Sequence, residues 1–182
     1  MIGLGYHGVQ PQPAGSRGSV PVMNPTRNDL ALDTRTAIVG LLNQRLADTI
    51  DLFNQLKQAH WNVKGPHFIA LHQLFDEVAG HVLPWGDDLA ERCVQLGGVA
   101  EGTTQVVGKR TSLTEYPVTT LDGAEHLDRV AGALAAYAAA VRQAIDSADK
   151  AGDKDTADLF TEISRGVDKD LWFVEAHLHR AR

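Results

Sequence analysis

Apolar side chains recur at helical spacing along most of the chain. From about residue 28 to residue 63 they return every three or four positions. This first stripe contains Leu42, Leu46, Thr49, Phe53, Leu56 and His60. Gly65-Pro66 predicts the end of the first helix. A second helical pattern runs from about Phe68 to Leu96, where Gly97-Gly98 is a glycine stop. The pattern therefore predicts two long helices in the first half of the chain.

The second half repeats this pattern after a long connection, residues 99–121, in which a short extra helix is expected. Asp122 with Glu125 three positions later is a capping-box pattern, which predicts the start of the third helix. That helix is rich in alanine and should end at Gly152, and a fourth is predicted from about Asp155 to His179. Because strand signals are nearly absent, the sequence predicts an all-α, ferritin-like four-helix bundle whose extra helix lies between helices 2 and 3.

Proline, glycine and charge refine this outline. Residues 1–27 are rich in Pro and Gly and are predicted to be a flexible tail, so residues 28–182 form the helical domain. Pro84-Trp85-Gly86 predicts an interruption of the second helix just before Asp87, and Pro84 or Gly86 could kink the helix there. Cys93 is the single cysteine, so no internal disulfide can form. We find no secretory signal pattern and no apolar run long enough to span a membrane, so we expect a cytoplasmic protein.

Five polar residues on the first two helices form a candidate metal-binding set: His60, His72, Asp76, Asp87 and Glu91. The last four make two pairs, each with a spacing of four residues, which places the members of a pair on one helix face. Asp76 and Asp87 are separated by close to three helical turns, so both pairs lie on roughly one side. Mixed imidazole and carboxylate ligands suit iron, manganese or zinc.

The distance between the two pairs indicates how such a site must be built. A helical segment from Asp76 to Asp87 spans about 16 Å, whereas metal–ligand bonds are about 2 Å long. The pairs therefore cannot hold one metal within one chain. Two antiparallel copies of helix 2 about a two-fold axis would bring the first pair of one chain beside the second pair of the other. The alternative is structural: a core histidine at position 60 and two solvated polar pairs on helix 2.

The residues around these positions resemble those of the Dps family, the DNA-protection-during-starvation mini-ferritins, over about residues 30–178. The similarity is carried by these segments: Lys57-Gln58-Ala59-His60-Trp61-Asn62-Val63-Lys64-Gly65, His72-x-x-x-Asp76, Asp87-x-x-x-Glu91-Arg92, Gln95-Leu96-Gly97-Gly98, Ser112-Leu113-x-x-Tyr116-Pro117, Asp155-Thr156-Ala157-Asp158-Leu159 and Leu171-Trp172-Phe173-Val174-Glu175-Ala176-His177.

The resemblance implies a hollow homo-dodecamer with a ferroxidase centre at each two-fold interface. Carried over by position, His60, His72 and Asp76 come from one subunit, and Asp87 and Glu91 from its partner. It also implies oxidation of Fe(II) by hydrogen peroxide or dioxygen and storage of the ferric mineral in the shell. Iron is the expected metal, with zinc as a possible substitute. Trp61 is expected to pack at the interface, and oxidation by stray radicals, which its family position implies, is its alternative role.

Four aspartates cluster around the predicted turn between helices 3 and 4: Asp149, Asp153, Asp155 and Asp158. Repeated around a three-fold axis they would form an acidic ion-entry pore that attracts ferrous ions. The alternative is ordinary helix capping by Asp153 or Asp155.

The family name implies DNA binding, which this sequence supports poorly. The first 33 residues contain no lysine, and Arg17 and Arg27 are balanced by Asp29 and Asp33. The whole chain carries a formal net charge of −6, which repels phosphate. We therefore expect weak or absent DNA binding. A nucleoid-binding protein with a secondary metal centre is the alternative function. A larger ferritin would need Glu-x-x-His motifs, and the sequence contains none.

Overall fold

The computed structural model describes residues 22–179. Over that range it confirms the predicted all-α bundle and its short extra helix. The helices are α1 (Leu32–Asn62), α2 (Phe68–Gln95), α3 (Thr104–Arg110), α4 (Gly123–Ala151) and α5 (Lys154–Ala176). The chain pairing between Lys64 and Asp122 is an isolated bridge and belongs to no sheet. None of the helices in the described range is long and apolar enough to cross a membrane.

The core lies between two helical hairpins, α1 with α2 and α4 with α5. The stripe predicted on α1 is buried at Leu42, Leu46, Thr49 and Leu56. It meets Phe75 from α2, Tyr137 from α4 and Phe160 from α5, all of which are fully buried. Removing such side chains from water is the main force that holds amphipathic helices together.

A row of polar side chains on the inner side of α1 fixes the long connection. The Asn43 side chain donates to the Val99 carbonyl at 2.9 Å and accepts from the Glu101 amide at 2.8 Å. Asp48 is fully buried. It accepts from both the amide and the hydroxyl of Ser112, at 2.7 and 3.0 Å, and its other oxygen pairs with Arg45 at 2.8 Å. The connection is therefore fastened through side chains, which replace the backbone partners that a loop lacks.

The helix ends follow the predicted capping chemistry. The Asp122 carboxylate accepts from the amides of Ala124 and Glu125, so the N-cap of α4 is confirmed. Glu125 bonds Thr120 and Arg129 instead of returning a bond to Asp122, so the capping box is half formed. Gly152 ends α4 with φ 85°, a left-handed conformation that glycine adopts at low cost.

The predicted interruption at Pro84-Trp85-Gly86 is wrong, because α2 runs without a break from Phe68 to Gln95. The proline lacks an amide hydrogen for the carbonyl of Gly80. Both Pro84 and Gly80 are on the exposed side of the helix, where water can take that bond. On the inner side, the Trp85 ring fills the space over Gly166, where any side chain on α5 would collide with it. Packing of α2 against α5 therefore keeps the helix continuous through the proline.

Most of the predicted tail, residues 1–21, lies outside the described residues. Residues 22–27 have no regular secondary structure, and the amide of Asn24 donates to the carbonyl of Gly97, just after the end of α2, at 2.6 Å. The side chain of Met23 packs against the core. The boundary between tail and domain at residue 27 stays a prediction.

Candidate metal centre

Two of the five predicted ligands come together where α1 ends and α2 begins. The imidazole rings of His60 and His72 stack with their centroids 3.8 Å apart and their planes at 20°. His60 Nδ1 lies 2.7 Å from the carbonyl oxygen of His72, and His72 Nδ1 lies 2.8 Å from that of His60. These reciprocal bonds hold both rings in fixed orientations.

The reciprocal bonds also determine which nitrogen of each ring can bind a metal. A carbonyl oxygen can only accept, so each Nδ1 must carry the hydrogen. In the neutral ring Nε2 then keeps its lone pair, and this is the tautomer of a histidine that ligates a metal through Nε2. His60 and His72 therefore each present an Nε2 donor, and hydrogen bonds to the backbone together with ring stacking orient the two rings.

Asp76, one helical turn beyond His72, is held by a lysine. Lys57 Nζ donates to Asp76 Oδ1 at 2.5 Å, and the same ammonium group lies 5.8 Å from the centroid of the Trp61 ring. The hydrogen bond from Lys57 is the main reason that the pKa of Asp76 lies below its ordinary value. A cation at this carboxylate must therefore displace Lys57 or share the carboxylate with it.

Asp87 and Glu91 are exposed on the far part of α2. Asp87 lines a largely apolar groove of about 620 Å³ formed by α1, α2 and the start of the connection, with Leu83, Pro84, Ala90 and Ala100 among its walls. Glu91 lines a neighbouring groove that shares Ala90 and Ala100. Two carboxylates beside exposed apolar surface are an arrangement suited to contact with another protein surface.

No three His, Cys, Asp or Glu side chains within residues 22–179 are gathered closely enough to hold a metal in one chain. His60 and His72 are together, Asp76 is turned to Lys57, and Asp87 and Glu91 lie further along α2. As a donor set, two imidazole nitrogens and three carboxylates fit Fe(II), or Zn(II) in its place. The five side chains are too far apart to form one site within a single chain. The helix spacing predicts this separation if the centre is divided between two chains.

Trp61 follows His60 at the end of α1 and is 66% exposed. Apart from the nearby Lys57 ammonium group, its ring has no aromatic or cationic partner in the described part of the chain. A tryptophan so exposed is available for an interface and for an oxidant, so both predicted roles of Trp61 stay open.

The four aspartates of the proposed pore have different surroundings. Asp153 is buried and is the N-cap of α5, accepting from the amide and hydroxyl of Thr156 at 3.1 and 2.6 Å. Arg92 donates to the same carboxylate at 2.7 Å. The capping alternative is therefore confirmed for Asp153. Asp155 and Asp158 are exposed, and Asp149 is exposed and paired with Lys154, so these three remain the candidates for an acidic pore.

Sequence reasoning missed two residues that organise the site. Lys57 holds Asp76, and its spacing of three residues before His60 placed it on the same side of α1. Arg92 directly follows Glu91 and ties α2 to the start of α5 through Asp153 and Thr156. No local pattern predicts the second contact, because its partners are about sixty positions away in the chain.

The fold and these motifs are those of the ferritin-like class, and a family model for the ferritin-like domain matches residues 39–182. A DNA protection during starvation protein from Agrobacterium fabrum is 47% identical over 153 residues, covering 84% of this chain and 94% of that protein. The structure of DpsA14 from Streptomyces coelicolor superposes with a TM-score of 0.85 at 33% identity, covering 90% of this chain and 96% of that one. The structure of Dps from Microbacterium arborescens in the high iron form gives a TM-score of 0.76 at 31% identity, covering 86% and 99%.

The chain therefore belongs to the Dps family of ferritin-like proteins.

Proposed function

We propose that this protein is a ferroxidase that consumes Fe(II) and hydrogen peroxide, or dioxygen, and stores ferric mineral inside a homo-dodecameric shell. The stacked His60 and His72 pair, with both Nε2 atoms free for a metal, is the observation that carries the proposal. A structure of a relative from Microbacterium arborescens is described as a high iron form, which supports iron as the substrate.

Each centre would draw on two chains. His60, His72 and Asp76 of one chain would face Asp87 and Glu91 of another across a two-fold axis. Two observations support this division: the described residues of one chain hold no three-ligand cluster, and the second carboxylate pair stands beside an exposed apolar groove. A second copy of α2 in that groove would bury apolar surface and complete the ligand set in the same step.

The protein's side chains would act mainly by binding and positioning. The imidazoles supply neutral donors that bind Fe(II). The three carboxylates supply negative charge, which favours the Fe(III) product. Imidazole must be neutral to ligate a metal, which is the form that the two Nδ1 hydrogen bonds allow. The exposed Asp149, Asp155 and Asp158 would raise the local concentration of cations at an entry pore.

Protection of DNA would follow because the protein removes Fe(II) and hydrogen peroxide. The relatives' name describes DNA protection, and Fe(II) with hydrogen peroxide generates the hydroxyl radical that damages DNA. We propose that DNA binding by this chain is weak or absent, since its net charge is −6 and its tail lacks lysine. Retardation of plasmid DNA in a gel that persists at physiological salt would instead favour the alternative, a nucleoid-binding protein.

The site assignment is tested by anaerobic loading with Fe(II) followed by hydrogen peroxide. The double variant His60→Ala/Asp76→Ala should oxidise iron at least about a hundredfold more slowly than the unmodified protein, because two ligands are lost at every centre. The matched control is His67→Ala/Glu77→Ala, which removes an exposed histidine and an exposed carboxylate from the same end of α2. Equal rates in the first variant and the unmodified protein would refute the assignment.

A further inference from the structure

Tyr116 and His126 form a buried polar pair that the metal centre does not include. The phenolic oxygen of Tyr116 lies 2.6 Å from His126 Nδ1, and the two rings are nearly parallel at 18°. His126 has no exposed surface, and Tyr116 is almost as deeply buried. A tyrosine and a histidine in such short contact form a unit in which a proton can pass between them.

The direction of the hydrogen bond follows from the acid–base chemistry of the two groups. Either tautomer leaves one hydrogen of this buried pair without a partner, since His126 Nε2 has no hydrogen-bond partner among the described residues. A phenol is the better donor and a neutral imidazole nitrogen the stronger base, so the phenol donates and Nδ1 accepts. The ring hydrogen then sits on Nε2, and the backbone of Thr120 favours the charged ring. Burial lowers the pKa of His126, so the ring starts neutral and can accept a proton.

The pair lies at the same end of the bundle as His60 and His72. The Phe75 ring, which directly precedes Asp76, has its centroid 6.2 Å from that of His126. The start of α4, which carries His126, is joined to the end of α1 by the Lys64 amide, which donates to the Leu121 carbonyl at 2.9 Å. An aromatic path therefore runs from the helix segment that bears Asp76 to the Tyr116 phenol.

We propose that Tyr116 is a one-electron redox site and that His126 accepts its proton. This proposal rests on the proposed function, which brings Fe(II) and hydrogen peroxide together at the nearby centre. In the first step a hydroxyl radical takes one electron and becomes hydroxide. Tyr116 loses that electron and becomes a neutral phenoxyl radical, while its proton moves to His126 Nδ1 to form an imidazolium.

The pair is then restored by iron. One Fe(II) gives an electron to the phenoxyl radical and becomes Fe(III), and the proton returns from His126 to the phenolic oxygen. The sum of the two steps is one hydroxyl radical and one Fe(II) converted to hydroxide and Fe(III), with Tyr116 and His126 unchanged. A damaging by-product is thereby used to oxidise a second iron.

Tyr137 is a natural comparison within the same fold. It is fully buried, and its phenolic oxygen lies 2.6 Å from the Thr49 hydroxyl. A threonine hydroxyl shares a hydrogen bond but does not accept a proton at neutral pH. Tyr137 therefore has the burial and the short contact of Tyr116 without the base. If burial or a short hydrogen bond alone were sufficient, the two tyrosines would be oxidised equally.

The experiment uses the full-length assembled protein with Tyr6→Phe, which leaves Tyr116 and Tyr137 as its tyrosines. Radicals are generated in two ways, by hydrogen peroxide added to the Fe(II)-loaded protein and, without iron, by a photoexcited ruthenium complex with persulfate. Samples frozen within seconds are examined by high-field electron paramagnetic resonance. We expect a tyrosyl signal in both cases, with a g-value lowered by a hydrogen bond to the radical oxygen.

Three further variants make the result decisive. Tyr116→Phe should abolish the signal, and Tyr137→Phe should leave it unchanged. His126→Gln, whose amide can accept a hydrogen bond but not a proton, should lower the yield about tenfold or more while circular dichroism shows the fold intact. A signal that survives Tyr116→Phe, or that disappears with Tyr137→Phe, overturns the proposal.

The two modes of oxidation separate this proposal from the proposed function. If the Fe(II)-loaded protein oxidises no iron but the ruthenium-treated protein gives the Tyr116 signal, the proposed function fails and the redox pair stands. If iron is oxidised normally and neither treatment gives a Tyr116 signal, the proposed redox pair is refuted and the proposed ferroxidase function still stands.

Discussion

The orientation of His60 and His72 depends on two backbone carbonyls and on the stacking of the two rings. Each ring donates from Nδ1 to the carbonyl of the other histidine, so the packing of α1 against α2 sets the direction of both Nε2 atoms. Such preorganisation lowers the conformational cost of binding a metal. The third expected ligand from this chain, Asp76, is instead held by Lys57, so metal binding at that residue is a competition between two cations.

Replacement of the lysine measures this competition. In the metal-free protein, Lys57→Gln should raise the pKa of Asp76 toward its ordinary value, because the hydrogen bond from Lys57 is the largest influence that lowers it. Carboxyl carbon resonances followed by NMR through an acid titration give that pKa directly. Lys64→Gln removes an exposed lysine from the same end of the bundle and serves as the control. An unchanged Asp76 pKa in Lys57→Gln would show that the ion pair does not form in solution.

His126 predicts a pH dependence of stability. Its folded-state pKa is lowered by burial, whereas an unfolded histidine titrates near pH 6.5. Below that value the unfolded chain takes up a proton that the folded chain refuses, so stability present above about pH 6.5 is lost as the pH falls. Urea unfolding at pH 7.5 and 5.5 should show a larger loss for the unmodified protein than for His126→Gln. An equal loss in both would mean that His126 is already charged when folded.

The five candidate ligands could be predicted from spacing, because helix geometry assigns faces and distances without knowledge of the fold. The partners of those residues could not. Lys57 meets Asp76 only after α1 has packed against α2, and Arg92 meets Asp153 only after α2 has packed against the distant α5. The same limit concealed Asp48, a charged residue that α1 buries as an anchor for the long connection.

Helix α2 contributes most of the residues of the candidate metal centre. It carries four of the five proposed ligands, and Arg92 near its end binds the N-cap Asp153 and Thr156 of α5. The helical pattern predicted its bounds closely, but it also predicted an interruption at Pro84-Trp85-Gly86 that does not occur. That error has a tertiary cause, since the fit of Trp85 over Gly166 is made by residues far apart in the sequence.

The Arg92 contact yields a prediction about α2 and α5. Asp153→Ala removes the cap of α5 and leaves the largely buried Arg92 without its partner. A loss of about 3–5 kcal/mol in the free energy of unfolding is expected for a broken buried pair. Asp155→Ala is the matched control, since that carboxylate is exposed and 3.9 Å from Arg92, and its effect should stay within about 0.5 kcal/mol. Denaturant unfolding monitored by circular dichroism measures both, and similar losses would contradict the assignment of Asp153 as the structural residue.

In the whole molecule, the candidate metal ligands lie in two separate places. The histidines stand near the turn between α1 and α2, while Asp87 and Glu91 stand beside exposed apolar grooves further along α2. A single chain thus has two half-sites. If two chains pair through α2, the same contact creates two complete centres. Assembly would then precede chemistry, and a folded monomer should be a poor ferroxidase.

Complementation between two inactive variants tests this division most directly. One chain carries His60→Ala/His72→Ala, the other carries Asp87→Asn/Glu91→Gln, and each assembled alone should have lost ferroxidase activity. Unfolded together and refolded, half of all two-fold pairs should be mixed, and each mixed pair restores one of its two centres, so about a quarter of the original activity should return. A mixture that stays as inactive as its components would contradict a centre shared between chains.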